Sequence, residues 1–332
     1  MTASAHGVQA PPAAGPATAV IRAAGEHIPG LLRRVEERLA ALAGGHGSAL
    51  AGHARTTIAA GGKRLRPLLV FLAAGREAGE GVVRAATAVE LVHSATLVHD
   101  DVLDGADLRR GTPTVVASAG RGAATATGDL LFARAIEELV RNERPDEVRV
   151  LSDAASALAQ GELLQRADAW DAEVPVERYL RRCELKTARL FQAACALGAL
   201  EAGGDAAGLG EFGRRIGLAF QLLDDVLDVS GPAERTGKHR GTDLLDGTVT
   251  LPFIIARERD PALAALDPRS VRDPATAERV CDRIEATGAL ADARARALAI
   301  VQEARARLPA GLAAGQRKAL VLVADGVVAR YA

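Results

Sequence analysis

The sequence predicts an all-α fold, and three observations support this prediction. Hydrophobic residues occupy 48% of the 332 positions, aromatic residues only 3%, and 71 positions are Ala. Ala and Leu favour close-packed helices, whereas sheets draw on β-branched and aromatic side chains. Apolar residues recur at helical spacing from about residue 19 onward, without a run of strand-like alternation. Since no linker divides the chain, we expect one domain over 19–332.

The individual helices follow in chain order. Residues 1–18 are rich in Ala, Pro, Gly and Thr and lack periodicity, so we expect a disordered tail. Pro67 favours a helix start, because its missing N–H costs nothing there. The Gly-rich, charged segment 230–250 is expected to be an exposed loop. Apolar spacing predicts helices over 28–43, 84–104, 127–141, 148–170, 177–200, 209–229 and 251–258, and a last one that Pro309 stops.

Composition excludes several classes of function. The 41 basic and 42 acidic residues give a net charge of −1, which argues against binding nucleic acid. No stretch approaches twenty uninterrupted apolar residues, so no transmembrane segment is expected, and no signal peptide is evident. Cys183, Cys195 and Cys281 lack metal-binding spacing. They are typical of reduced thiols in a cytoplasmic protein.

The pentapeptide Asp-Asp-Val-Leu-Asp occurs twice, at 100–104 and at 224–228, each time after an apolar helical segment. The first and fifth positions of such a motif lie one turn apart on one helix face. Like charges at that spacing repel, and their burial is unfavourable unless a cation is present. Oxygen-only ligands suit Mg²⁺, which binds through a few carboxylates together with substrate phosphates. His93 lies on the face of Asp100 and extends the polar stripe.

Basic residues occur where a phosphate ligand would need them. Only four of the 41 basic residues are Lys, and three of these lie in candidate phosphate-binding segments: Lys63, Lys186 and Lys238. Lys63 belongs to Gly-Gly-Lys-Arg-Leu-Arg-Pro at 61–67, a turn before a helix N-terminus that can bind phosphate. Arg109 and Arg110 follow the first acidic motif.

Together, these elements resemble the trans-polyprenyl diphosphate synthases. The resemblance covers roughly residues 28–260, with the elements in the family's order. It implies an antiparallel helix bundle around a deep central cavity, a homodimer, Mg²⁺ as cofactor, and the substrates isopentenyl diphosphate and an allylic diphosphate. The matching segments are GGKRLRP, HSATLVHDDVLDGADLRRGTPT, GDLLFARA, KTARLF, QLLDDVLD, GKHRGTD and VTLP.

The resemblance also implies roles for individual residues. Asp100, Asp104 and Asp224 would bind the metal ions, and Asp101, Asp225 and Asp228 would support these ligands. The isopentenyl diphosphate would contact Lys63, Arg66, His93 and Arg110. The allylic diphosphate would be surrounded by Arg109, Lys186, Thr187, Gln221 and Lys238. The sequence departs from the family at Asp246-Gly247-Thr248, where a basic residue often precedes the VTLP segment.

The residues beneath the first acidic motif bear on product length. In the family, the fourth and fifth residues before the first Asp form the floor of the pocket, and aromatic side chains there stop elongation early. Thr96 and Ala95 are both small, and Val92 is a candidate deeper in the wall. We therefore predict a product longer than geranylgeranyl diphosphate, unless a bulky residue of another helix, such as Phe132, closes the pocket.

Other functions stay open at this stage. A short-chain synthase making geranylgeranyl or farnesyl diphosphate would carry the same motifs. A terpene cyclase or a head-to-head condensing enzyme would not need GGKRLRP. A non-catalytic subunit of a heteromeric synthase would be expected to lose acidic motifs, and both are intact here.

Overall fold

The computed structural model is all-α, as the sequence predicts. It describes residues 16–44, 48–59, 64–75, 79–109, 111–231 and 239–329. The helices are α1 (Pro16–Ala24), α2 (Ile28–Ala43), α3 (Ser48–Ala59), α4 (Leu65–Ala74), α5 (Glu80–Asp104), α6 (Val115–Val140), α7 (Pro145–Ala167), α8 (Val176–Cys183), α9 (Arg189–Glu201), α10 (Ala206–Ser230), α11 (Thr242–Leu245), α12 (Leu251–Arg257), α13 (Pro261–Ala264), α14 (Pro274–Ala286), α15 (Ala289–Ala306) and α16 (Ala314–Ala329).

Short elements complete the chain between these helices. A π-helical turn, Glu184–Ala188, joins α8 to α9, and a 3₁₀ turn covers Pro268–Ser270. Two strands, β1 (Leu108–Arg109) and β2 (Thr112–Pro113), form a small antiparallel hairpin directly after α5.

Local sequence sets where the helices of the site begin and end. α5 ends with the first acidic motif because Gly105 adopts a left-handed conformation at φ 62°, which glycine tolerates without strain. Thr114 caps α6 by accepting a hydrogen bond from the Ala117 amide at 3.1 Å. Asp205 caps α10 in the same way through the Gly208 amide. These caps fix the ends of the helices that carry or face the two acidic motifs.

The core is built around α5, α9 and α10. α5 packs on α6 along its length, α9 lies between α4 and α10, and α10 also contacts α15. α5 is long and apolar enough to cross a membrane by length and composition, with a mean hydropathy of 1.2. However, 72% of that apolar window is buried inside the fold, so its composition is that of a core helix.

Several predicted boundaries need correction. α1 begins at Pro16 and packs on α16, so the last three residues of the predicted tail are helical. Residues 1–15 lie outside the described part of the chain. α4 begins two residues before Pro67. The predicted helix 177–200 is three elements, because the π-helical turn interrupts its regular hydrogen bonding.

The described part of segment 230–250 is not the exposed loop that we expected. It contains α11, and Leu244, Val249 and Thr250 are buried. The segment folds back onto α10, where the Gly241 amide donates to the Asp228 carbonyl at 2.9 Å. These backbone hydrogen bonds explain why a segment without apolar periodicity is nevertheless ordered against the core.

Candidate active site

A deep cavity of about 1130 Å³ lies between the helices that carry the two acidic motifs. Helices α5, α6, α7 and α10, the π-helical turn and the segment around α11 all contribute to its wall. The predicted site residues that line it are Arg66, His93, Thr96, Asp100, Asp104, Lys186, Thr187, Gln221, Asp224, Asp225 and Asp228. The fold thus brings both acidic motifs and two of the predicted cations, Arg66 and Lys186, to one space.

On the α5 wall, His93, Thr96, Asp100 and Asp104 form one continuous stripe. This is the face that helical spacing predicts. Burial raises the pKa of Asp100 from its usual 3.8 to about 6, although nearby Lys186 lowers it. A buried carboxyl of this kind is stabilised in its charged form by an additional cation.

Asp101 and Arg109 lie away from the cavity. Asp101 is buried, and its Oδ1 accepts hydrogen bonds from Arg109 Nε at 2.8 Å and pairs with Nη2 at 2.7 Å. Neither residue is part of the cavity wall. Asp101 therefore anchors the hairpin that follows α5. The predicted contact of Arg109 with the allylic diphosphate stays a prediction, since the guanidinium pairs with Asp101 through Nε and Nη2 and keeps further N–H groups.

In the second acidic motif, hydrogen bonds from Tyr179 and Gln221 fix the carboxylate of Asp225. Tyr179, fully buried on α8, donates from its hydroxyl to Asp225 Oδ2 at 2.7 Å. Gln221 Nε2 donates to the other oxygen of Asp225, also at 2.7 Å. Burial raises the pKa of Asp225 to about 7, and these two hydrogen bonds oppose that rise. Asp224, one residue earlier, is exposed to the cavity.

The π-helical turn presents Lys186 and Thr187 to the cavity. Such single-turn π segments are frequent at functional sites because the extra residue redirects side chains. Thr187 Oγ1 donates to Gln221 Oε1 at 2.7 Å, which joins this turn to the second motif. Lys186 Nζ donates to Glu162 Oε2 on α7 at 2.5 Å.

Arg66 of α4 is another cation in the cavity wall. Its guanidinium lies 4.8 Å from the centre of the Phe191 ring, and burial lowers its pKa to about 10. Within the described chain, Arg66 Nε is buried without a hydrogen-bond partner. A buried guanidinium N–H that lacks an acceptor favours an anionic ligand. Lys63, Arg110 and Lys238, the other predicted phosphate contacts, lie outside the described residues.

The structure places the three predicted chain-length residues differently, and their effect on product length stays a prediction. Thr96 lines the cavity, but Ala95 and Val92 are fully buried in the core and do not. Each helical residue turns the side chain by about 100°, so Ala95 points well away from the Thr96 face. Phe132 of α6 does line the cavity and stacks on His99, with ring centres 5.8 Å apart.

Four residues of the site were not assigned from the sequence. Glu162 and Arg166 line the cavity from α7, and Asp243 lines it from α11. Tyr179 supports Asp225 from behind. Asp243 could have been assigned from the sequence, because it lies within the GKHRGTD element. Glu162, Arg166 and Tyr179 belong to no motif that would have indicated a role. Their contacts join segments that are far apart in the sequence.

The donor set of the cavity suits Mg²⁺. Asp100, Asp104 and Asp224 offer only carboxylate oxygens, which this hard cation prefers. Among the described residues, no three His, Cys, Asp or Glu side chains are close enough to hold a metal ion by themselves. A Mg²⁺ ion bound through one or two carboxylates, waters and substrate phosphates does not require such a cluster.

Comparison with known proteins agrees with this geometry. A family model described as polyprenyl synthetase matches residues 48–286. Heptaprenyl diphosphate synthase component 2 of Geobacillus stearothermophilus is 41% identical over 267 residues, which is 78% of this chain and 83% of that protein. Geranylgeranyl diphosphate synthase of Methanosarcina mazei is 36% identical over 287 residues, covering 83% of this chain and 88% of that protein.

Solved structures show the same fold. A polyprenyl synthase from Caulobacter crescentus, complexed with calcium and isoprenyl diphosphate, superposes with a TM-score of 0.86 at 35% identity. The match covers 97% of this chain and all of that one. These relatives act as prenyl or polyprenyl diphosphate synthases with products of different length. The chain therefore belongs to the polyprenyl synthetase family and is a prenyltransferase.

Proposed function

We propose that the protein elongates an allylic diphosphate with isopentenyl diphosphate in a Mg²⁺-dependent reaction. One observation carries this proposal: two identical acidic motifs and the cations Arg66 and Lys186 face a single cavity. A diphosphate is the ligand for which carboxylates with a bound metal and basic side chains are needed together.

Each group has a defined part in this reaction. Asp100, Asp104 and Asp224 would hold Mg²⁺, which would supply positive charge to stabilise the departing diphosphate. Lys186, Thr187 and Gln221 bind and orient the allylic diphosphate, and Arg66 with His93 binds the isopentenyl diphosphate. The bond from the allylic carbon to its diphosphate oxygen breaks, the double bond of isopentenyl diphosphate attacks that carbon, and a proton passes to the departing diphosphate.

The apolar part of the cavity protects the reacting carbon. Leu97, Phe132, Leu158, Phe220 and Leu227 line it beside the polar stripe. Such side chains exclude water, which would otherwise capture the allylic cation, and they accept the growing hydrocarbon. The lining therefore suits a substrate with a charged head and an extending apolar tail.

The proposed product is longer than geranylgeranyl diphosphate. Thr96, the side chain one turn below Asp100 on the cavity wall, is small, so the α5 face leaves room for the tail. The alternative is a short-chain product of geranylgeranyl or farnesyl length, for which Phe132 would be the stopping residue. A non-catalytic subunit is the less favoured alternative, because both acidic motifs reach the cavity.

We also propose that the protein acts as a homodimer in the cytoplasm. The three cysteines are buried free thiols, which suits a reducing compartment. A heteromeric assembly is the competing possibility, since one similar protein is named as component 2 of its synthase. Light scattering of the purified protein distinguishes a homodimer from a monomer that would need a different subunit to assemble.

The decisive experiment incubates the purified chain with Mg²⁺, isopentenyl diphosphate and allylic starters of several lengths, and identifies products by mass spectrometry. We expect products of more than four isoprene units, and none when a chelator removes the metal. Products of four units or fewer would refute the long-chain proposal. No product from any starter would refute elongation by this chain alone.

A further inference from the structure

Glu162 of α7 joins two cations that belong to different walls of the cavity. Its Oε2 accepts a hydrogen bond from Lys186 Nζ of the π-helical turn at 2.5 Å. Its Oε1 accepts one from Arg166 Nε at 2.8 Å, and Arg166 Nη2 in turn donates to Asp104 Oδ1 at 2.5 Å. A chain of ion pairs therefore runs from Lys186 through Glu162 and Arg166 to the first acidic motif.

The neighbouring residue, Gly161, brings the π-helical turn close to α7. A Cβ atom at Gly161 would lie 2.5 Å from the Lys186 backbone nitrogen and 2.8 Å from its Cα. Because those atoms belong to the backbone, the turn itself would have to move to accept a side chain there. Gly161 and Glu162 thus both act on Lys186. Gly161 allows close approach of the Lys186 backbone, and Glu162 binds the Lys186 ammonium group.

The charges of this network favour fixed geometry. Although burial raises the pKa of Glu162, Lys186 and Arg166 outweigh it, so that its pKa is lowered and the carboxylate is charged at neutral pH. An ammonium has three donors and a guanidinium five, so each cation keeps N–H groups for another ligand. A flexible Lys side chain loses rotamer freedom when it is held, and anchoring it in advance reduces that loss on ligand binding.

We propose that Glu162, supported by Gly161, is a positioning residue that sets Lys186 and, through Arg166, Asp104 for binding a diphosphate. This inference rests on the proposed function for the identity of the ligand. It adds a residue of the cavity wall that acts through Lys186 and Arg166 and so orients one group from each side of the site. Outer-shell residues of this kind often affect ligand affinity strongly.

The first test measures binding of inorganic diphosphate in the presence of Mg²⁺ by titration calorimetry. Glu162→Gln keeps the shape of the side chain but removes its charge. We expect its affinity to fall by about 10- to 100-fold, as for other outer-shell partners. Glu184→Gln is the matched control, because Glu184 lies in the same turn but pairs with Arg181 and Arg189 outside the cavity. Wild-type affinity in a folded Glu162→Gln variant would overturn the proposal.

A second test asks whether Glu162 acts through Lys186. Residues of one network give non-additive effects, so the Glu162→Gln/Lys186→Gln double variant should lose less diphosphate affinity than the two single losses combined predict. Fully additive losses would overturn the proposal. In steady-state kinetics, Glu162→Gln should raise KM for the allylic substrate and leave KM for isopentenyl diphosphate unchanged. An equal rise in both would indicate a general structural role instead.

A third test moves the backbone. Gly161→Ala should weaken diphosphate binding in the same way, whereas Gly210→Ala should not, because its Cβ would approach Ala196 and Gln192 no closer than 3.4 Å. Equal affinities in the two variants would contradict a role for Gly161. The binding measurements need no turnover, so they decide the positioning role even if the wild-type chain forms no elongated product.

Discussion

The aspartates of the two acidic motifs differ in their burial and in the charged groups that surround them. Asp100 and Asp225 both have raised pKa values because burial disfavours their charged forms. Asp101, also buried, is matched by Arg109 at hydrogen-bond distance. The first two therefore gain most from a bound cation, and Asp101 gains least. This division supports separate roles for residues that look equivalent in the sequence.

Asp100→Asn and Asp224→Asn should each lower kcat by about 10²- to 10³-fold, the loss typical when an electrostatic partner of a transition state is removed. Both variants should stay folded, and the melting temperature of Asp100→Asn should not fall, because the change removes a carboxylate whose charged form is disfavoured by burial. Circular dichroism and steady-state assays check both. Lys318→Arg, an exposed change on α16, is the control and should be silent. Near-normal turnover in either Asn variant would contradict the proposed metal roles.

Product length should respond to residues that line the cavity and not to their buried neighbours. Thr96→Phe should shorten the product, because an aromatic ring would enter the path of the tail, and Phe132→Ala should lengthen it. Ala95→Ser is the control, since Ala95 faces the core and should leave product length unchanged. Mass spectrometry of the products reads out all three. A shift of product length in Ala95→Ser alone would show that the cavity wall has been misassigned.

At the scale of helices, close approach depends on glycine where two backbones meet. Gly198 of α9 packs against α4, and a Cβ there would clash with the Val70 carbonyl oxygen and lie 3.0 Å from Ala73 Cβ. Gly213 and Gly217 of α10 make similar approaches to α9. A core with few aromatic side chains fills its space in this way, through short distances between helices.

Gly198→Ala should therefore destabilise the protein despite the better helix propensity of Ala. Overpacking against backbone costs about 1–3 kcal/mol, whereas the propensity gain is only about 1 kcal/mol. Thermal unfolding should show a melting temperature lower by a few degrees. Gly210→Ala provides the comparison and should be neutral or stabilising. An unchanged melting temperature in Gly198→Ala would mean that α4 and α9 can separate at little cost.

Helical periodicity explains which parts of the site could be predicted. It places His93, Thr96, Asp100 and Asp104 on one face, and the structure has them there. The same rule turns Ala95 about 100° away from Thr96, toward the core. The π-helical turn could not be foreseen, because one extra residue in a turn leaves no mark on the apolar pattern. The partners of Glu162 could not be foreseen either, because they depend on how α7 packs against the π-helical turn, which is distant in the sequence.

At the scale of the whole molecule, a second cluster of ionisable side chains, outside the cavity, surrounds Glu147. It lies where α5, α6, α7 and α9 begin or end. Glu147, with 0% exposure, accepts a hydrogen bond from Asn142 Nδ2 at 2.8 Å. Asn142 also donates to the Gly81 carbonyl of α5 at 3.1 Å. Burial first, and then hydrogen bonding with Glu201, raises the pKa of Glu147 to about 8. Four helix ends thus meet at a carboxyl whose raised pKa favours the protonated form at neutral pH.

This carboxyl should make global stability depend on pH. In the unfolded chain Glu147 loses its proton near pH 4.5, whereas the folded protein keeps it to about pH 8. The unfolding free energy should therefore fall as pH rises from about 5 to 8, with a slope of at most about 1.4 kcal/mol per pH unit for one proton. Glu147→Gln removes the group that titrates, and its denaturant midpoint should depend less on pH. Glu173→Gln, a change at an exposed residue paired with Arg257, serves as the control. If Glu147→Gln and wild type lose stability in parallel over this range, the proton is held elsewhere and these four helix ends do not sense pH.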